Sequence, residues 1–63
     1  MSKLSARRQN KGLSQAQLSE KAGVSKKVIQ HYEQGFRDIN KAAGDTLRRL
    51  AKALDCYIED LLE

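Results

Sequence analysis

The chain has 63 residues, a formal net charge of +4, no proline, one cysteine (Cys56) and one histidine (His31). That length allows one domain with a modest core, and a lone cysteine and histidine leave no internal disulfide, no thiolate–imidazole metal cluster and no evident cofactor site. No apolar run is long enough to span a membrane or act as a secretory signal, so the expected location is the cytoplasm.

Sparse aromatics and the absence of β-branched alternation predict helices throughout, five in all. The first runs from near Ser2 to Asn10 or Lys11, with Leu4 and Arg8 one turn apart, and stops at Gly12. Ser14-Gln15-Ala16-Gln17 fits an S-x-x-Q capping box opening a second helix, with Leu18 and Ala22 inward. Gly23 supplies a turn, Val24 enters the core and Ser25 caps a third helix. There Ile29 and Tyr32 face inward, Val28 lies at the boundary, and Gln34-Gly35 closes the helix. Phe36 to Lys41 is a loop anchored by Ile39. A fourth helix begins between Ala42 and Asp45 and carries the stripe Leu47, Leu50, Ala51, Leu54. After a turn at Asp55-Cys56-Tyr57, Ile58, Leu61 and Leu62 mark a short fifth helix. Cys56 reads as a small, partly buried apolar residue.

Charge is distributed unevenly. Residues 1–52 hold all twelve Lys and Arg against Glu20, Glu33, Asp38 and Asp45, whereas residues 53–63 hold four acids and no base. A basic body suits a polyanionic partner, although a solvated, charge-rich surface gives the same count. Two short capped helices around Gly23 have the layout of a helix-turn-helix, over about residues 14–35, in which the second helix enters the DNA major groove.

Phosphates require cations and amide donors, while base edges require short-range donors and acceptors on a slim rigid element. The third helix offers Ser25, Lys26, Lys27, Val28, Gln30 and His31 for bases or the groove wall: lysine can donate to guanine and glutamine can pair with adenine. Ser14 and Gln15, at the start of the second helix, suit either plain capping or phosphate contact. Arg37 and Lys41 flank the following loop as phosphate candidates. Arg8 and Glu33 read either as a bidentate pair tying the first helix to the third or as two separate charges. Of Arg48 and Arg49, at least one must be solvated.

These residues resemble the lambda-repressor-like (phage repressor, Cro, XRE) helix-turn-helix family across almost the whole chain. The matching pieces are Arg8 with Gly12-Leu13-Ser14-Gln15, and Leu18 with Glu20-Lys21-Ala22-Gly23-Val24-Ser25. Next come Ile29 with Tyr32-Glu33 and Gly35, then Leu47 with Leu50-Ala51-Lys52-Ala53-Leu54 and Glu59-Asp60-Leu61-Leu62. The resemblance implies an all-α, five-helix DNA-binding domain over residues 1–63. It implies phosphate contact by Gln15, groove contact by Lys26, Lys27, Val28 and His31, and the Arg8–Glu33 pair. It also implies a homodimer on a palindromic operator, for which the last helix offers Ile58, Leu61 and Leu62. Four positions depart from the family pattern. Ser19 replaces the usual alanine, the loop Asp38–Gly44 lacks proline, Asp55 stands at a stop position that is commonly glycine, and Tyr57 stands at a cap commonly Ser, Thr or Asn.

The expected function is a sequence-specific double-stranded DNA-binding transcriptional regulator, a repressor, without small-molecule substrate or membrane. A protein-interaction module of the same fold, such as an antitoxin or adaptor, is the alternative. An enzyme is not expected, because the sequence offers no nucleophile–base pair and no room for a deep pocket.

Overall fold

The structure is a computed structural model and describes residues 2–63. Four α-helices form: α1 over Lys3–Asn10, α2 over Gln15–Ala22, α3 over Lys26–Gln34 and α4 over Gly44–Leu54. Two single 3-10 turns, Ile39–Lys41 and Ile58–Asp60, complete the regular structure. Helix α2 packs against both α3 and α4, α1 rests on α3, and the last turn sits on α4.

Local chemistry accounts for most of the boundaries. The Ser2 hydroxyl accepts from the Ser5 N–H at 2.9 Å and opens α1. At α2 the capping box is complete: Ser14 Oγ accepts from the Gln17 N–H at 3.0 Å, and Gln17 Oε1 accepts from the Ser14 N–H at 2.8 Å. Gly23 and Gly35 end α2 and α3 in the left-handed region, at φ 70° and 82°, where a side chain is strained. Asp55 ends α4 in the same region at φ 54°, and is the sole non-glycine residue with positive φ among those described.

Ser25 does not cap α3, contrary to the expectation from sequence: its side chain makes no bond to the helix amides. Its φ and ψ are −54° and 135°, against −89° and 155° at Ser2 and −76° and 167° at Ser14, both of which do cap. The hydroxyl therefore stands exposed at the start of α3.

The core is built from Leu4, Leu18, Ile29, Leu50, Leu54 and Leu61, all essentially fully buried, with Ile39 and Leu47 beside them. Each such side chain is worth about 1.5–3 kcal/mol on leaving water. The expected fifth helix is replaced by the turn Ile58–Asp60. Asp60 accepts from the Tyr57 N–H at 2.9 Å, and one turn is enough to drop Leu61 into the core. Asn40 then takes the backbone of Glu63 on both sides, accepting from its N–H at 2.8 Å and donating to its carbonyl at 3.2 Å. As a correction, Leu61 belongs to the protomer's own interior and offers no side chain to a second copy, while Ile58 and Leu62 remain partly exposed.

No helix among the described residues is long and apolar enough to cross a membrane.

Candidate nucleic-acid interface

Helix α3 turns Ile29 into the core and leaves its opposite side outward. Lys26 and Lys27 are exposed, and Gln30 and His31 are half-buried. Spacing of four residues sets Lys26 with Gln30 and Lys27 with His31, giving two neighbouring rows along the helix. Among the described residues, neither lysine enters an ion pair. Their ammonium groups are thus available to an external anion. Val28 lies further round, partly buried against the core, and borders a shallow groove with Ser25, Tyr32, Arg37 and Lys41. Ser25, Val28, Arg37 and Lys41 are therefore brought together on one flank of α3, and the Lys27–His31 row lies on another face.

A buried polar knot fixes how α3 is held. Arg8 grips Glu33 with two donors, Nε to Oε2 at 2.7 Å and Nη2 to Oε1 at 3.0 Å. Its third arm, Nη1, donates to the Leu13 carbonyl at 2.8 Å. The hydrogen bond to Glu33 raises the Arg8 guanidinium above its ordinary value, against an opposing effect of burial. The Gln15 amide donates to Glu33 Oε1 at 3.0 Å. One carboxylate thus joins α1, the start of α2 and the C-terminal half of α3. Gln15, a phosphate candidate, commits one amide hydrogen to this knot and keeps the other. Ser14, also a phosphate candidate, has its hydroxyl accepting within the capping box and its hydrogen still to donate.

Arg48 and Arg49 are both exposed and share Asp45, at 2.8 and 2.9 Å. The Arg48 hydrogen bond, then the charge of Arg49, lowers the Asp45 carboxyl below its ordinary value. Arg49 also leans over the turn at Gly23, where an added Cβ would meet its Nη1 at 3.2 Å. The sequence contains no local signal for that contact. The Cys56 thiol is pushed up chiefly by burial, and no group of three potential metal ligands occurs among the described residues.

One exposed side chain escaped the sequence reading. Phe36 is 74% exposed, with its ring edge-on to His31 at 5.8 Å between centroids. An apolar residue isolated among Gln34, Gly35, Arg37 and Asp38 was the signal available.

No curated protein and no solved structure matches the chain significantly. The sequence profile of the helix-turn-helix family matches residues 4–61, from within α1 to the buried Leu61. With the capped α2, the left-handed Gly23 and the outward rows of α3 in place, the chain belongs to the helix-turn-helix family, of the lambda-repressor-like (XRE) type.

Proposed function

We propose that this protein is a sequence-specific double-stranded DNA-binding transcriptional regulator that works as a repressor in the cytoplasm. The observation that carries the reading is the pair of outward rows on α3, with Lys26 and Lys27 free of ion pairs among the described residues and the helix braced from behind by Arg8, Glu33 and Gln15. Helix α3 enters the major groove, with Lys26, Lys27, Gln30 and His31 toward base edges. Ser25, Val28, Arg37 and Lys41 line the adjoining groove wall and backbone, while Ser14 and Gln15 meet phosphate at the start of α2. The role is binding without catalysis, and occupancy of an operator is enough to block transcription.

Two copies bind a palindrome, with half-sites about 10 bp and recognition helices about 34 Å apart. With Leu61 inside the core, the dimer contact falls to Ile58 and Leu62, beside the exposed Tyr57.

Selection from a random duplex pool, followed by a salt series on the winner, tests the reading. Palindromic winners whose affinity falls steeply with salt are expected, because phosphate contacts release counterions. Unselected pools and salt-independent binding overturn it.

A further inference from the structure

Phe36 is the only phenylalanine in the chain, and the core is complete without it. The left-handed Gly35 ends α3, and the Phe36 N–H then bonds back to the His31 carbonyl at 2.8 Å. The residue is therefore rooted on the recognition helix rather than carried on a free loop. Its ring packs edge-on against the His31 imidazole at an interplanar angle of 74°, while most of its surface stays in water. Lys27 lies one turn before His31, and Arg37 follows Phe36 directly.

The nearby acids are engaged: Glu33 is held by Arg8 and Gln15, and Asp38 accepts from the Asn40 N–H at 2.9 Å. The ring's neighbours along the chain are thus cationic and polar, with no apolar neighbour in sequence to extend it into a protein-docking patch. A partner that suits such a surface is a polyanion with isolated apolar groups on its readable edge. Duplex DNA has one such group in the major groove, the 5-methyl of thymine.

We propose that Phe36 is a specificity-determining residue of the DNA interface, its ring packing on a thymine 5-methyl next to the base edge that His31 faces. His31 acts as the brace that fixes the ring. This inference rests on the DNA-binding reading above.

The test uses the duplex that the full chain selects, with each thymine replaced in turn by deoxyuridine, against the unaltered protein, Phe36→Ala and Phe36→Leu. One thymine in each half-site is expected to matter. Loss of its methyl weakens the unaltered protein about fourfold, the worth of one buried methyl group. Phe36→Ala binds both duplexes equally and about as weakly as the unaltered protein binds uracil, while Phe36→Leu falls between.

Undiminished thymine preference in Phe36→Ala overturns the assignment, as does an unaltered protein indifferent to every methyl. Sedimentation of the same variants adds a third overturning result: dissociation of a dimer by Phe36→Ala with DNA affinity per protomer unchanged, which assigns the ring to a second copy. Salt-dependent duplex binding without thymine preference sinks this assignment alone, whereas absence of duplex binding sinks the underlying reading with it. The comparison of thymine and uracil on the unaltered protein stands even if a variant folds poorly.

Discussion

Both carboxylate oxygens of Glu33 are taken by Arg8, and Oε1 is shared with Gln15. The Arg8 and Glu33 side chains are only 14% and 7% exposed, so removing one leaves a charge stranded away from water. Glu33→Ala is expected to lose about 3 kcal/mol in urea unfolding. Arg8→Met combined with Glu33→Leu is expected to recover most of that, since paired burial gains little over apolar packing. If the double variant recovers stability but reads DNA less selectively, the pair's contribution is orientation of α3.

Leu61→Ala is expected to cost about 2–5 kcal/mol by opening a cavity against α4. Leu62→Ala, at a partly exposed position, is expected to cost far less. Thermal unfolding of both variants, at protein concentrations where the chain is monomeric, separates the two. Equal losses would mean that Leu61 is not the plug described.

Asp55 ends α4 at φ 54° and ψ 49°, a conformation that glycine adopts without strain. Asp55→Gly is expected to gain about 1 kcal/mol. The side chain is 90% exposed and its pair with Lys11 is long, at 3.7 Å, so little is lost with it. A rise in melting temperature of several degrees is the readout, and a fall contradicts the strain argument.

Lys27→Ala and Arg37→Ala are expected to differ in kind. A base contact at Lys27 costs about 1–3 kcal/mol at the selected site and relaxes preference there, while a phosphate contact at Arg37 weakens all duplexes alike. The slope of log affinity against log salt is expected to shrink by about one for Arg37→Ala. Identical profiles for the two variants would remove the division of labour.

Asp45 has its carboxyl lowered by Arg48, then Arg49. A carboxyl with a folded value below its unfolded one contributes stability above the ordinary aspartate range and loses it as pH falls through the folded value. The contribution of Asp45 is therefore expected to be present and constant with pH near neutrality and to decline below about pH 4. Asp45→Asn is expected to flatten that part of the acid limb in melts taken across the range. An unchanged acid limb in Asp45→Asn would deny the shared pair a role.

The legible parts of the fold were those written in local chemistry. Ser14 and Gln17 form the box their spacing requires, Gly23 and Gly35 take the left-handed stops, and Leu47, Leu50, Ala51 and Leu54 form one buried stripe. The misread parts depended on tertiary placement. Ser25 follows the buried Val24 and makes no cap bond, a choice of side-chain and backbone angles that spacing does not show. Ile58 to Leu62 makes only a single turn, and Asn40, more than twenty residues away, takes the backbone of Glu63. In the candidate site, the bond from Gln15 to Glu33 and the packing of Phe36 on His31 are side-chain choices that spacing alone does not reveal.

The Asn40–Glu63 contact also bears on how the protein is handled. The Glu63 carboxylate accepts from the Lys3 N–H at 2.7 Å, and Ser2 and Glu63 border one groove with Gln34, Gly35 and Arg37. Ser2 and Glu63 therefore lie at the same spot, over the exit of α3 and close to Arg37. On the DNA-binding reading proposed above, a bulky label at position 2 is expected to crowd a bound duplex as much as one at position 63.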